Sequence, residues 1–221
     1  MDGFRESASR PSREGRRHPI FARFFDRLSR VTEHELGPHR DRLLAGLSGR
    51  VLEIGAGNGV NFGHYPPAVE TVVALEPEPF MRGRAQHAAT SARVAVRLVD
   101  GVASHLPFES CTFDAVVASL VLCSVPELAT ALSEIRRVLK DGGELRFMEH
   151  VRADRAAKAR LQVMLDRSRI WPLLGGGCHC SRQTGDAIAA AGFRVTEFES
   201  LPFGPSWWIT NPHVRGAARA P

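Results

Sequence analysis

Three glycines at alternate positions, Gly55, Gly57 and Gly59, follow a short apolar run that contains Glu53. Because glycine adopts positive φ and lets a ligand approach the backbone closely, this segment predicts a binding turn. A dinucleotide-binding fingerprint, G-x-G-x-x-G or A, that began at Gly55 would need a small residue at position 60, where this chain has Val60. The spacing disfavours a diphosphate ligand, and nicotinamide-linked oxidoreduction would require the fingerprint to tolerate Val60.

Other side chains that could do chemistry follow later apolar segments. Glu76 ends one such segment, and the two oxygens of its carboxylate suit the pair of hydroxyls on a ribose. His150 follows Met148 at the end of another. A histidine can raise the thiolate fraction of an acceptor as a general base. His150 is therefore the first candidate for proton transfer, and His179 is the second.

The chain has four cysteines, which are too few and too scattered for a disulfide framework and predict reduced thiols. Cys178 and Cys180 flank His179. A structural zinc site usually takes two ligand pairs at longer internal spacing, and no second Cys/His pair follows these residues. We therefore predict no metal site.

Composition indicates one soluble domain, since 221 residues with 43% hydrophobic and 24% charged side chains can bury a full core. The net charge of +5 comes partly from arginines near both ends, which predict solvated tails rather than a nucleic-acid site. No stretch approaches the roughly 18 to 20 apolar residues of a membrane span, and no signal peptide is evident. The expected location is the cytoplasm.

Short apolar segments that alternate with helical patterns must position these side chains. They predict the strands of a parallel sheet, buried on both faces: Arg50–Ile54, Thr71–Leu75, Val94–Val99, Phe113–Ala118 and Glu144–Met148. Before them, apolar positions between Ile20 and Val31 and a cluster around Leu43 predict N-terminal helices.

Sequence signals also predict where later elements begin and end. Ser124 and Glu127 form a capping-box pattern at a helix start, and Asp141–Gly143 predicts the end of that helix. Thr184 is a candidate cap of a further helix that ends at Gly192. Two strands follow, at Phe193–Glu199 and Trp207–Thr210, and form a hairpin.

The segment Glu53–Gly59 resembles the E/D-x-G-x-G-x-G signature of class I S-adenosylmethionine-dependent methyltransferases. The resemblance implies an α/β, Rossmann-like fold with a mostly parallel seven-stranded sheet, helices on both faces and a C-terminal antiparallel hairpin. It also implies that Glu53 binds the ammonium of S-adenosylmethionine, Glu76 the ribose and Asp100 the adenine, with the loop from Ser119 beside the methyl donor. The implied cofactor-binding residues are Glu53, Gly55, Gly57, Gly59, Asn61, Glu76, Pro77, Asp100, Gly101, Ser119 and Leu120.

A narrower resemblance lies in "VLEIGAGNGVNFGHYP", "SLVLCSV", "FMEHV" and the region around Gly177–Cys178. These stretches are similar to the alkyl thiol S-methyltransferases, which in animals sit on the endoplasmic reticulum and lipid droplets. The resemblance implies methylation of a small apolar or aromatic thiol, in detoxification or natural-product tailoring. The animal proteins begin with a hydrophobic membrane anchor, whereas this chain begins with an Arg-rich segment, so membrane attachment is not expected.

We expect four regions along the chain: a basic tail at residues 1–18, helices that cap the site at 19–48, the methyltransferase domain at 49–214 and a tail at 215–221. An apolar acceptor predicts apolar and aromatic neighbours. The candidate substrate-binding residues are Phe21, Phe24, Phe25, Cys123 and Trp171. Trp207 and Trp208 would point to opposite faces of a strand, so at most one of them would face the site.

Two other functions stay open at this point. The same scaffold and a Phe-rich cap would suit C- or O-methylation of a quinone precursor or phenol. A non-catalytic, cofactor-binding regulatory protein is an alternative from another class. A magnesium-dependent catechol enzyme is disfavoured, because we see no clear Asp/Asn cluster beyond the acids already assigned. The expected partner is a small molecule, without nucleic acid, and the sequence does not predict the oligomeric state.

Overall fold

The structure is a computed structural model that describes residues 19–221. The predicted tail at 1–18 lies outside the described residues. The α-helices are α1 (Pro19–Val31), α2 (Glu33–Leu44), α3 (Pro79–Ala89), α4 (Leu128–Val138), α5 (Ala156–Arg167), α6 (Ile170–Leu174) and α7 (Thr184–Ala190). The strands are β1 (Gly49–Ile54), β2 (Val69–Leu75), β3 (Ala95–Val99), β4 (Phe113–Ser119), β5 (Leu139–His150), β6 (Arg194–Pro202) and β7 (Pro212–Arg219).

The strands form a seven-stranded sheet in the order β3-β2-β1-β4-β5-β7-β6. Strands β1 to β5 pair with one another in parallel, and β7 is antiparallel to both β5 and β6. The predicted fold class is therefore confirmed, including the C-terminal antiparallel hairpin. No helix among the described residues is both long enough and apolar enough to cross a bilayer.

The central strands are buried on both faces, which is why they are apolar almost throughout. Leu52 and Val116 pack into one core with α4 and α7, whereas Val51 and Val117 pack into a second core with α2 and α3. Successive strand residues point to opposite faces, so one apolar run supplies both layers. This packing fixes the carboxyl ends of β1, β2, β3 and β4 at one edge.

Two boundaries near the C-terminus were predicted wrongly. Trp207–Thr210 is a turn, because Asn211 donates its side-chain amide to the carbonyls of Phe203 and Gly204 and its backbone N–H to Trp208. The last strand begins only at Pro212. Residues 215–219 consequently lie in β7 and pair with β5, so they are not a tail.

Three predicted helix signals also differ from the structure. Helix α4 has Glu127 as its N-cap residue without a side-chain hydrogen bond, so the capping box with Ser124 does not form. The chain enters β5 at Leu139, before the predicted stop at Asp141–Gly143. Thr184 is the first residue of α7 and not its cap, since its buried hydroxyl makes no capping bond.

Candidate active site

A cavity of about 340 Å³ opens beyond the carboxyl ends of the parallel strands. Ligands of open parallel sheets bind at this edge. Its wall combines the segments after β1, β2, β3 and β4, the end of β5, helix α1 and the segment 175–178. Six of the predicted cofactor-binding residues line it: Gly55, Gly57, Glu76, Pro77, Gly101 and Leu120.

The glycine turn after β1 needs glycine for conformation and for space. Gly55 has a φ of +63°, and a Cβ there would lie 2.4 Å from Cγ2 of Val121. Gly57 has a φ of +59°. Gly59, with a φ of +81°, does not line the cavity, and a Cβ there would lie 2.7 Å from the ring of Phe62. The first two glycines shape the cavity wall, and the third permits packing behind it.

Glu76 places a buried carboxylate in the cavity wall directly after β2. Its oxygens accept hydrogen bonds from the backbone N–H groups of Gly57, at 2.8 Å, and Glu78, at 2.9 Å. Burial raises the pKa of Glu76, while these two hydrogen bonds oppose the rise. Since each carboxylate oxygen has a second lone pair, the group retains acceptor capacity for the hydroxyls of a nucleoside.

Glu53, predicted to bind the ammonium group directly, is not among the residues that line the cavity. Asn61 and Tyr65 donate hydrogen bonds to its two oxygens at 2.7 and 2.8 Å. Arg40 in turn donates to Asn61 at 2.7 Å and reaches Ser119 at 3.5 Å. Burial raises the pKa of Glu53 to about 7. Glu53, Asn61 and Ser119 are not part of the cavity lining. Their hydrogen bonds join the segment after the glycine turn to β1 and α2.

Asp100 also lies outside the cavity wall. Its side chain is 67% exposed and forms an ion pair with Arg82 at 3.1 Å. The next residue, Gly101, does line the cavity, and a Cβ on it would lie 2.7 Å from Leu75. The segment after β3 therefore faces the cavity with Gly101 and Val102 rather than with the predicted carboxylate.

A sulfur and imidazole cluster occupies another part of the wall. Nδ1 of His150 lies 3.4 Å from Sγ of Cys178 and 3.7 Å from Sγ of Cys123. We call these three residues the Cys–His cluster. Cys178 was not among the predicted site residues, because a long stretch of chain separates it from the other two.

Glu149 was also missed, although it lies in the "FMEHV" stretch. Its buried carboxylate accepts backbone N–H groups from Val121 at 3.1 Å, Leu122 at 2.9 Å and Cys123 at 3.1 Å. It thereby holds the loop after β4 against the end of β5. An acid next to the last apolar residues of a buried strand was the signal that could have identified it.

Three residues predicted for catalysis or substrate binding do not line the cavity, namely His179, Phe24 and Trp171. The backbone N–H of His179 donates to Cys123 and its Nδ1 lies 2.9 Å from the carbonyl of Gly177, so its ring stays with its own loop. Phe24 is 61% exposed. Trp171 packs against Gly175, where a Cβ would lie 3.2 Å from its indole nitrogen.

Helix α1 closes the cavity with the stacked rings of Phe21 and Phe25, whose centroids are 5.7 Å apart. Gly176 lets the Phe21 ring lie close to the backbone of the segment 175–178, because a Cβ on Gly176 would lie 2.2 Å from that ring. The helix is fixed to the glycine turn by Asn58, which donates hydrogen bonds to Asp26 and to Oγ of Ser29, each at 2.9 Å. Phe21, Phe25, Cys123 and His150 are thus the predicted acceptor-site residues that meet here.

Comparison with known proteins connects this site to methyl transfer. The family model described as "Methyltransferase domain" matches residues 52–147. The thiol S-methyltransferase TMT1B of Rattus norvegicus is 35% identical over 181 residues, with 79% of this chain and 73% of the relative covered. The thiol S-methyltransferase TMT1A of Homo sapiens is 34% identical, with 79% and 72% covered.

A solved structure gives the same architecture. The S-adenosylmethionine-dependent methyltransferase from Mesorhizobium loti matches with a TM-score of 0.61 at 18% identity, covering 83% of this chain and 97% of that chain. At this identity the likeness supports the fold alone. The likeness to the sequence relatives, in contrast, supports the methyltransferase activity of the family as well as the fold.

Proposed function

This chain belongs to the class I S-adenosylmethionine-dependent methyltransferases, in the group that contains the thiol S-methyltransferases, and we propose that it methylates the thiol of a small apolar or aromatic molecule. The proposal depends on one observation above all. A single cavity joins the glycine turn and the Glu76 carboxylate to an apolar wall that carries the Cys–His cluster.

The residues of the cofactor part of the cavity fit S-adenosylmethionine. Glu76 is proposed to accept the ribose hydroxyls, and the glycine turn from Gly55 to Gly57 lets the aminoacyl part approach the backbone. Gly101 and Leu120 complete this part of the wall. When bound, the cofactor supplies a methyl group that its positively charged sulfur has already activated.

The acceptor part is proposed to bind an apolar thiol under α1. Phe21 and Phe25 provide aromatic contact, and Val125 and Pro126 add aliphatic surface. A thiolate is a strong nucleophile. Most of the rate then comes from holding the acceptor sulfur in line with the activated methyl, as oriented reactants react faster than separate ones.

His150 is the proposed catalytic residue toward the acceptor, because it is the histidine of the predicted pair that lines the cavity. An acceptor that enters between α1 and the Cys–His cluster would place its sulfur near this imidazole. His150 would then favour the thiolate form of the acceptor. His179 is assigned no contact with the acceptor.

A methyl-transfer panel tests the proposal. The purified chain is incubated with S-adenosylmethionine and matched alkyl thiols, aromatic thiols, phenols and quinols, and release of S-adenosylhomocysteine and the methylated product are measured. We expect thioethers from the apolar thiols. Turnover of the phenols or quinols without turnover of any thiol would contradict the proposal and favour O- or C-methylation.

A further inference from the structure

The Cys–His cluster has the dimensions of a metal site. The two nitrogen-to-sulfur distances are 3.4 and 3.7 Å, and the three donor atoms all lie within 4.8 Å of one another. A tetrahedral Zn²⁺ with Zn–S bonds of about 2.3 Å and Zn–N bonds of about 2.0 Å separates nitrogen from sulfur by roughly 3.5 Å. The observed distances fall on either side of that value.

The protein backbone holds the three donors in place. Glu149 accepts the N–H of Cys123 and of the two residues before it. The N–H of His179, next to Cys178, donates to the carbonyl of Cys123 at 2.8 Å and joins the two cysteine segments. Asp166 accepts the N–H of Ser181 at 2.8 Å and fixes the far side of the same loop. Such support preorganises ligands and reduces the cost of ordering them.

The fourth side of the cluster is the cavity itself. Cys123, His150 and Cys178 all line it, while both cysteines are otherwise buried. A catalytic zinc site has three protein ligands and an open fourth position, and two cysteines with one histidine form one known set of this kind. The cluster therefore differs from a closed structural site, in which a fourth side chain would fill the remaining position.

We propose that Cys123, His150 and Cys178 bind one Zn²⁺ whose fourth coordination position opens into the cavity and takes the sulfur of the acceptor. Thiolates are soft ligands that select zinc among the abundant divalent ions. Two cysteine thiolates and a neutral imidazole balance the charge of the ion.

The role of the ion rests on the proposed thiol methylation. The acceptor thiol loses its proton to solvent as its sulfur binds Zn²⁺. An electron pair of this sulfur then forms the new bond to the methyl carbon, while the bond from that carbon to the cofactor sulfur breaks and leaves its pair there. The products are a neutral thioether and S-adenosylhomocysteine. The thioether is a weaker ligand than a thiolate and dissociates.

Cobalt titration of the full chain tests the site. The protein is stripped with a chelator, kept reduced with a phosphine and titrated with Co²⁺ alone. We expect one Co²⁺ per chain, thiolate-to-cobalt charge-transfer absorption and the intense visible bands of a tetrahedral ion, all reversed by Zn²⁺. Absence of these bands in the fully reduced protein, or a Cys123–Cys178 disulfide as the stable state, overturns the proposal.

Variants assign the ligands. Cys123→Ser and Cys178→Ser should each weaken Co²⁺ binding by more than the roughly 10- to 100-fold loss that removal of an outer hydrogen bond causes. The matched control is Cys111→Ser, since Cys111 is exposed and does not line the cavity. Unchanged binding in Cys178→Ser would contradict the assignment.

A measurement on the unmodified protein covers the case in which a variant does not fold. Alkylation of the cysteines, read by mass spectrometry, should become slower at Cys123 and Cys178 when Zn²⁺ is added and stay unchanged at Cys111. Equal alkylation with and without Zn²⁺ at the two buried cysteines would overturn the site.

Activity measurements distinguish the zinc proposal from the proposed thiol methylation on which it rests. Zinc loading should raise kcat/KM for apolar thiols at least tenfold over the stripped protein. Thiol turnover by a protein that binds no Zn²⁺ overturns the zinc proposal and leaves thiol methylation intact. One equivalent of bound Zn²⁺ without turnover of any thiol overturns the proposed function and leaves the site.

Discussion

Glu76 has both oxygens of its carboxylate held by the backbone of the protein. The backbone N–H groups of Gly57 and Glu78 each hold one of its oxygens. These two hydrogen bonds fix the orientation of the carboxylate in the cavity wall. The directions in which its remaining lone pairs can accept hydrogen bonds are therefore set by the protein alone.

We predict that Glu76→Gln lowers the affinity for S-adenosylhomocysteine at least about tenfold, as expected for loss of hydrogen bonds to a charged group. The amide NH₂ would also face one of the two backbone donors. Calorimetric titration measures the effect. Glu109→Gln, at an exposed position, should bind like the unmodified protein, and equal affinity in both variants would exclude Glu76 from the cofactor site.

We predict that His150→Ala lowers kcat/KM by about 100-fold or more for weakly acidic alkyl thiols, because the imidazole favours the thiolate form of the acceptor, either directly or as a ligand of the proposed Zn²⁺. The loss should be smaller for aromatic thiols, which ionise more readily without help. Steady-state rates across a series of acceptors measure this difference. His179→Ala is the control, since its ring does not line the cavity. An equal loss for every thiol would indicate a structural role only.

At the scale of elements, α1 is joined to the glycine turn by polar contacts. Asp26 accepts Asn58 Nδ2 at 2.9 Å and forms ion pairs with Arg30 and Arg84. Burial opposes ionisation of Asp26, but hydrogen bonds from Asn58 and Arg30 outweigh it and lower its pKa. Helix α1, which closes the cavity, is thus fixed to the glycine turn.

We predict that Asp26→Ala lowers the free energy of local opening of α1 by about 1 to 3 kcal/mol, because Asn58 loses a hydrogen-bond partner in a buried position. Hydrogen exchange in residues 19–31 should become faster while exchange in the central strands stays slow. The KM for the acceptor should rise with it. Asp154→Asn, an exposed site, is the control, and unchanged exchange in α1 would show that other contacts hold the helix.

Elements with strong local signals were predictable, and those fixed by distant contacts were not. β1 to β4 and the later part of β5 are mostly apolar segments, so their alternation with helical patterns identified the sheet. Trp207–Thr210 has the composition of a strand, yet the side chain of Asn211 bonds to two carbonyls across a turn and displaces the strand to Pro212. A capping pattern at Ser124 likewise gave way to tertiary packing.

At the scale of the whole molecule, the buried network of Glu53, Asn61, Arg40 and Tyr65 links α2 to the central strand. Sequence patterns could place Glu53 at the end of β1, but they could not identify Asn61 and Tyr65 as the donors to its two oxygens. The same limit applies to the Cys–His cluster, whose members come together only when the loop after α6 packs on the ends of β4 and β5.

We predict that the free energy of unfolding falls as pH rises between about 4.5 and 7. Burial raises the pKa of Glu53 to about 7, so the folded protein keeps a proton that the unfolded chain loses in this window. Glu53→Gln should reduce this fall by up to about 3 kcal/mol. Urea denaturation from pH 5 to 8 measures it, with Glu109→Gln as control. Equal pH dependence of all three proteins would show that Glu53 ionises normally.

The position of β7 bears on how the protein is made. This strand contains some of the last described residues, yet it lies between β5 and β6 and supplies the partners of both. While the nascent chain still has residues 212–219 inside the ribosome, β5 has an open edge and β6 has no neighbour. Such an edge invites pairing with other chains. Chaperones that shield emerging polypeptides would therefore act on this protein at least until residues 212–219 have left the ribosome.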